Sequence, residues 1–247
     1  MENISITGAK ILFEIPIFGG IPITETQVNS WIVILVIWAL CIILTHGMKV
    51  KPTSKRQIIA EWIVEKVNGL VHDNMGEKFA GFGAFICAIL GLSAFSSLSS
   101  LFGMYPPTAD LNTVAGWAIL VFVMITYYKI KSAGFGGYLK GFTTPFALFT
   151  PFNILSEIGT PVSMAFRHFG NVVSGTVIGT LIYAALAAAS TALLGWLPGV
   201  LGSIPFLQVG IPAVLSIYFD LFSSCMQAFI FAMLTMLYIS GACETDN

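Results

Sequence analysis

The chain has 247 residues, of which 56% are hydrophobic and only 9% are charged, whereas an ordinary soluble domain carries roughly 25% charged residues. This composition excludes a soluble globular domain and predicts an all-α polytopic membrane protein with about five membrane helices. The formal net charge of −1 gives no indication of a nucleic acid or another strongly charged partner.

Five apolar stretches predict the membrane helices, near residues 31–45, 79–104, 111–128, 161–194 and 206–240. Each of the last two would be about 50 Å long, against a hydrocarbon core of about 30 Å. They must therefore be strongly tilted, bend, or run partly along the membrane plane. We predict a single membrane domain over residues 1–247, with an outer N-terminal tail (1–28), an inner loop (46–78) and a long helix pair (161–240).

The basic residues predict the orientation of these spans, because Lys and Arg near span ends stay on the cytoplasmic side. Nine of them lie between the first two spans or just after the third, and one lies in the N-terminal tail. The N-terminus is therefore expected outside and the C-terminus in the cytoplasm. Apolar residues at near-helical spacing between Lys55 and His72 predict a helix in the inner loop, either interfacial and amphipathic or simply solvated.

A glycine-rich stretch follows the third span and predicts an irregular connection, either a hinge or a re-entrant segment. It contains Gly134, Gly136, Gly137 and Gly141, with Pro145 and Pro151 shortly after.

Arg167 is the only Lys or Arg in the nearly uncharged run from about Phe142 to Gly241. A guanidinium stays charged at any physiological pH, and in hydrocarbon it costs from a few to more than ten kcal/mol, so it needs compensation. On a helix, Ser163, Arg167, Asn171 and Ser174 would form one polar row, because their spacing is i, i+4, i+8 and i+11.

A second polar row is predicted on the last span. Its members are spaced i, i+4, i+7, i+8 and i+11: Ser216, Asp220, Ser223, Ser224 and Gln227. The span is apolar again after Gln227, so each long helix carries a polar track that stops short of crossing the membrane. Two incomplete tracks meeting a fixed cation conduct ions only if a moving carrier links them.

Simpler interpretations of these polar residues stay open at this point. Arg167 would be a structural ion-pair partner of Glu157 or Asp220, the hydroxyls and amides would join helices, and His168 would face a helix interface. No motif for a nucleotide, a metal or a catalytic triad is present. We therefore expect no cofactor, no metal and no catalysis by this chain alone.

The run from Pro151 to Asn171, PFNILSEIGTPVSMAFRHFGN, resembles subunit a of the F-type ATP synthase. The segments PTADLN (107–112) and QAFIF (227–231), with Leu234, Thr235 and Tyr238, agree with that resemblance. It implies the ion-channel stator of the Fo motor, in which two half-channels pass H⁺ or Na⁺ to and from carboxylates of a rotating c ring. It also implies b-type peripheral stalk subunits as partners, and through them the F1 head.

The resemblance implies that Arg167 faces the c ring, attracts a deprotonated carboxylate and blocks leakage between the half-channels. It implies that Asn171 and Gln227 are polar partners of the arginine, and that Glu157 lies towards the inner connection. This chain departs from the pattern at Thr176, where many relatives carry Glu, at Asp220, where some carry His, and at His168, where an apolar residue is usual. We hypothesise that Asp220 is the main relay group of the outer half-channel.

The residues predicted to serve ion translocation are Arg167, Asn171, Asp220, Gln227, Glu157, Ser174, Thr176, His168, Ser223 and Ser224. A bacterial plasma membrane is the expected location, with an organellar energy-coupling membrane as the alternative. A competing hypothesis is a secondary transporter with a midplane substrate site at Arg167, which requires matched interruptions in two halves. A purely structural scaffold would need no polar rows.

Overall fold

Helices account for most of the chain in the computed structural model. The structure describes residues 9–16, 20–50, 54–144, 146–194, 208, 214, 215 and 217–244. Within these ranges, the side chains of residues 21, 194, 219, 220 and 244 are not described. The α-helices are α1 Glu25–Thr45, α2 Lys55–Met75, α3 Gly83–Leu98, α4 Leu111–Phe142, α5 Thr150–Leu194 and α6 Ser223–Glu244. Within the described ranges, five helical segments are long and apolar enough to cross a membrane. The prediction of an all-α polytopic membrane protein is confirmed.

An antiparallel β-hairpin, β1 Ile11–Ile15 and β2 Ile21–Thr24, precedes the first span. Its second strand leads directly into α1, whose N-cap is Thr24, so the first span begins before the predicted residue 31. Thr26 Oγ1 donates to Asp110 Oδ2 at 2.7 Å and ties the start of α1 to the start of α4. The sequence did not predict this hairpin, because the segment does not alternate between apolar and polar residues.

The core of the bundle lies among α2, α3, α4 and α6. Ile86, Val114, Val121, Phe231 and Ile239 are fully buried there. α3 packs against α6, and α4 packs against both α5 and α6. Because lipid is as apolar as these side chains, close packing and polar contacts between helices hold such a bundle together.

The predicted helix of the inner loop is confirmed as α2. Val71 and Met75 pack into the core, whereas Ile58, Ile59 and Trp62 are exposed apolar side chains at the other end of the helix. An exposed apolar group of this kind suits a helix lying at the membrane surface.

The third membrane helix is longer than predicted. α4 continues beyond Tyr128 to Phe142 and contains one kink, at Gly134, whose φ of +73° lies in the left-handed region. The prediction of an irregular connection through the glycines is therefore wrong beyond Gly134: three of them lie in a further helical segment, and the hinge is confined to one residue that tolerates positive φ. Pro145 lies outside the described residues.

The prediction that the fourth span starts at Pro161 is also wrong. α5 begins at Thr150 and holds Pro161 in its interior. A proline lacks the backbone N–H donor, but membrane helices tolerate this because neighbouring groups satisfy the freed carbonyl. With 45 residues, α5 is about 68 Å long at 1.5 Å per residue, so it is even longer than the sequence indicated.

A π-helical turn, Ile217–Phe222, leads into α6. The predicted span from residue 206 lies partly outside the described residues, and its described part ends at Glu244. The α-helical spacing used to place Ser216 and Asp220 in one row with Ser223 does not hold across this turn, because a π-helix has more residues per turn. Ser216 itself lies outside the described residues.

Candidate functional site

Arg167 lies on the outward face of α5. Its side chain is exposed, and it is flanked along the helix by exposed apolar side chains such as Val162 and Phe166. Across the described ranges Arg167 forms no salt bridge. A permanent cation is thus presented among exposed apolar side chains and the exposed hydroxyl of Ser163 one turn earlier, within a segment long enough to span a membrane.

The two predicted polar rows meet one turn after the arginine. Asn171 Nδ2 donates to Ser223 Oγ at 2.8 Å, which joins α5 to the first residue of α6. Ser174 Oγ donates to the Asn171 carbonyl at 3.1 Å, and Thr176 Oγ1 donates to the Val172 carbonyl at 3.0 Å. Both hydroxyls are exposed, but they lie about 200° apart around the helix, so only Ser174 continues the row of Arg167 and Asn171.

The remaining members of the α6 row face the bundle. Ser224 and Gln227 are buried, Gln227 with 5% of its surface exposed. No hydrogen bond joins Gln227 to Arg167 in the described part of the chain. The structure therefore brings Asn171 and Ser223 together near the arginine, and it separates Gln227 from the exposed face on which Arg167 lies.

His168 follows Arg167 in the chain but points into the core. It is fully buried, and its ring packs edge-on against Trp117 of α4 and Phe231 of α6 at centroid distances of 6.2 and 5.6 Å. His168 Nε2 lies 3.3 Å from Ser93 Oγ of α3. The interpretation that His168 faces a helix interface is confirmed, and the residue is not on the face that carries the arginine.

Glu157 pairs with a different residue from the one considered on the sequence. Its Oε2 accepts from Lys129 Nζ of α4 at 2.5 Å, and the two side chains are 16% and 28% exposed. Ten residues of helix, about 15 Å, separate Glu157 from Arg167. The alternative of an Arg167–Glu157 ion pair is therefore wrong, because Lys129 occupies the carboxylate.

Asp220 belongs to the π-helical turn before α6. Its side chain lies outside the description, so its predicted relay role stays a prediction. Single π-helical turns occur often at functional sites. Four residues after Asp220, Ser224 is already buried, and Tyr218 and Phe222 stack across the turn with centroids 5.6 Å apart.

Sequence reasoning missed the partners of His168 and Glu157. Ser93 belongs to a buried row on α3 with Ser96 and Ser97, and Ser97 Oγ lies 3.1 Å from Thr108 Oγ1. The spacing of these serines, i, i+3 and i+4, is the signal that would have marked a polar helix face. No spacing rule connects Lys129 with Glu157, because the two residues lie on different helices.

The described side chains supply a fixed cation, hydroxyls, amides and one acidic residue paired with lysine. No three His, Cys, Asp or Glu side chains in the described ranges lie close enough together to hold a metal ion. Such groups bind water and orient a passing ion, and they stabilise a negative charge brought to Arg167.

Comparison with known proteins assigns a family to this arrangement. Residues 27–240 match the family described as ATP synthase A chain. The chain is similar to "ATP synthase subunit a, sodium ion specific" of Propionigenium modestum, with 29% identity over 273 aligned residues, covering 96% of this chain and 86% of the relative. It is 31% identical to ATP synthase subunit a of Desulforamulus reducens, with 90% and 81% covered, and 30% identical to that of Priestia megaterium, with 95% and 99% covered.

Proposed function

The chain belongs to the ATP synthase A chain family, the ion-channel stator subunits of the Fo motor, and we propose that Arg167 is the residue at which its two half-channels are kept apart. The observation that carries this proposal is the exposed guanidinium, which has no ion-pair partner in the described ranges and lies on an apolar membrane face. A carboxylate carried past this face by a rotor would be held in its deprotonated form and would release its ion.

An arginine suits this task because desolvation does not neutralise it. A lysine in the same place would lose its proton more readily when buried against a partner. The cation also repels a cation moving directly from one half-channel to the other. Ion flow is then obliged to pass through the rotor.

The outer half-channel is proposed to run along the junction of α5 with α6. The Asn171–Ser223 hydrogen bond and the exposed hydroxyl of Ser174 supply polar groups along this junction, whereas Thr176 lies about 180° around α5 from Arg167. The hydroxyls of Ser174 and Thr176 donate to their own backbone, and neither titrates. Asp220 is therefore proposed as the relay group, since Thr176 has no carboxylate to offer.

The inner half-channel is proposed to open near Glu157, on the opposite side of Arg167 along α5. Lys129 holds this carboxylate, and Ser132 Oγ at the same end of α4 donates to the Cys243 carbonyl at 3.2 Å. α4, α5 and α6 thus meet at this end of the bundle. With the basic residues on the cytoplasmic side, this end would face the cytoplasm, and the N-terminus would lie outside in a bacterial plasma membrane.

The coupling ion is proposed to be chosen by the rotor, whose carboxylate site lies outside this chain. One relative carries sodium-ion specificity in its name, so the assay of ion pumping must follow both H⁺ and Na⁺. The further partners proposed are the c ring against the exposed face of α5, b-type stalk subunits at the inner loop, and the F1 head through the stalk. The chain itself is proposed to be non-catalytic within the complex and to form one membrane domain with the ion path in residues 161–240.

The test is ATP-driven ion pumping by membrane vesicles that carry the complex with Arg167→Ala, assayed separately for H⁺ and Na⁺ gradients. We expect the gradient to be lost while the complex stays assembled, and Arg167→Lys to restore only a part of it. Lys140→Ala is the control, since Lys140 is another basic residue of the chain and lies exposed near the end of α4. Coupled pumping by the Arg167→Ala complex at the control level would reject the proposal.

A further inference from the structure

The exposed direction of Arg167 depends on how α5 is rotated about its own axis. Successive residues of an α-helix are about 100° apart, so the directions of Arg167 and His168 are fixed relative to each other, and in this rotation of α5 the arginine is exposed while the histidine is buried. Near Arg167, the buried side chains of α5 are Met164, Ala165 and His168. Few anchors thus set the rotation of a helix of 45 residues.

The apolar anchors give little rotational preference. Turning Met164 or Ala165 from the bundle towards lipid exchanges one apolar environment for another, and no hydrophobic driving force opposes the exchange. A polar contact behaves differently, because breaking it leaves a donor or an acceptor without a partner in an apolar medium. Rotational preference near Arg167 therefore has a polar component, which comes from two contacts of α5, His168 with Ser93 and Asn171 with Ser223.

His168 of α5 supplies such a contact, and three other helices, α3, α4 and α6, take part in it. Ser93 and His168 are both fully buried, with 3.3 Å between Oγ and Nε2. Trp117 and Phe231 enclose the ring edge-on from two other sides. The Nδ1 atom of His168 has no hydrogen-bond partner among the described residues, so the bond to Ser93 is the ring's one described hydrogen bond. Rotation of α5 would break it and leave Nε2 without its partner.

We propose that His168 is a positioning residue: through Ser93 it fixes the rotation of α5, and so directs Arg167 to the outer face of the bundle. This inference rests on the proposed function only for its consequence in ion transport. Its structural part is independent, because the rotation of α5 is measurable without any ion flow.

The reporter of rotation is a disulfide between the helices. In a chain whose four native cysteines are replaced by alanine, Asn171→Cys with Ser223→Cys joins α5 to α6 where the native polar atoms are 2.8 Å apart. Ser97→Cys with Thr108→Cys is the control pair, because its atoms are 3.1 Å apart and neither residue belongs to α5. Cross-linking is measured in the assembled complex under mild oxidation.

Three variants are compared in each reporter chain. His168→Leu keeps the volume and removes the hydrogen bond, Ser93→Ala removes the partner with little change of volume, and His168→Gln keeps an amide within reach of Ser93. We expect the first two to lower the rate of α5–α6 cross-linking by about threefold to tenfold, the equivalent of one interhelical hydrogen bond in a membrane. His168→Gln should stay within about twofold of the parent chain, and the control pair should not change.

Pumping is measured in chains that carry only the change at residue 168 or 93. A loss of ion gradient with His168→Leu and its rescue by His168→Gln, at equal amounts of assembled complex, would support the proposal. Unchanged α5–α6 cross-linking in His168→Leu would overturn it, and so would an equal loss in the control pair, which would indicate general loosening. If cross-linking changes as expected while both His168→Leu and Arg167→Ala pump normally, the positioning role stands and the function proposed for Arg167 fails.

Discussion

Replacing Lys129 by methionine removes the positive charge that faces Glu157 across the α4–α5 interface. We expect this change to destabilise the bundle by about 3 kcal/mol, whereas Glu157→Gln should cost only about 1 kcal/mol. The two members of one ion pair are thus expected to differ about threefold in their effect on the free energy of unfolding.

The asymmetry follows from the burial and the length of the two side chains. Glu157 is 16% exposed, and its Oε1 has no hydrogen-bond partner in the described part of the chain. Without Lys129 the short carboxylate becomes an unpaired charge, and breaking a buried pair in this way costs about 3–5 kcal/mol. We take the lower end because Lys129 is 28% exposed, so water reaches the pair. Without Glu157, the flexible lysine stem extends its ammonium towards the surface.

A double-mutant cycle tests this reasoning. The free energy of unfolding of the subunit is followed by protection from proteolysis while the purified complex is titrated with denaturant. Because the double variant Lys129→Met, Glu157→Gln leaves no charge, it should cost only about 1 kcal/mol, which gives a coupling energy of about 3 kcal/mol. Lys131→Met is the control, since Lys131 is exposed on the same helix. Equal losses for the two single variants, or an additive double variant, would refute the argument.

Three further changes have expected outcomes. Asp220→Asn should abolish most ATP-driven pumping and Asp220→Glu should retain it, since the relay needs a titratable group. If the two variants built up equal ion gradients, the relay role of Asp220 would be contradicted. Gly134→Ala should destabilise the protein by about 1–2 kcal/mol in a thermal unfolding assay, because the φ of Gly134 is +73° and an L-residue is strained there. In the same assay the control Gly136→Ala should be neutral or slightly stabilising, because Gly136 has an ordinary helical φ and open space where a Cβ would lie. Ser163→Glu places a carboxylate of the same chain one turn before Arg167, where it can pair with the guanidinium, so it should suppress pumping. Ser163→Gln should not suppress it. Preserved pumping by the glutamate variant would contradict the idea that Arg167 must stay free of an ion pair within its own chain.

The class of fold and the polar row on α5 were predictable because each rests on a local pattern. Apolar length identifies a membrane helix, and the i, i+4 spacing places Arg167 and Asn171 along one helix. Two predicted helix boundaries were wrong, because each was placed from a single proline or glycine. Pro161 was expected to begin a helix, yet α5 continues through it; Gly134 was expected to begin an irregular segment, yet the irregularity is a kink at that one residue and a helical segment follows it.

The partners of the site residues could not be predicted, because they lie on other helices. Ser93 is 75 positions from His168, and Lys129 is 28 positions from Glu157. Sequence spacing says which residues share a face of one helix, but the rotation and height of neighbouring helices decide which faces meet. The π-helical turn before α6 was also beyond pattern reasoning, because every spacing on the last span was counted with an α-helical period.

The absence of a fixed partner for Arg167 in the described ranges is itself an argument about mechanism. A guanidinium in hydrocarbon costs from about 2.5 to 17 kcal/mol, depending on the reference state. Glu157 does not offset this cost, since Lys129 holds it, and Asn171 offers only a dipole while its amide donates to Ser223. We propose that water and a carboxylate on a partner supply the compensation; an ion pair of Arg167 with Asp220 stays the competing hypothesis, since the Asp220 side chain is not among those described. A rotor carboxylate that pairs with this guanidinium and then leaves allows the rotor to turn past it. An arginine paired permanently with an acid of its own chain would attract such a carboxylate only weakly.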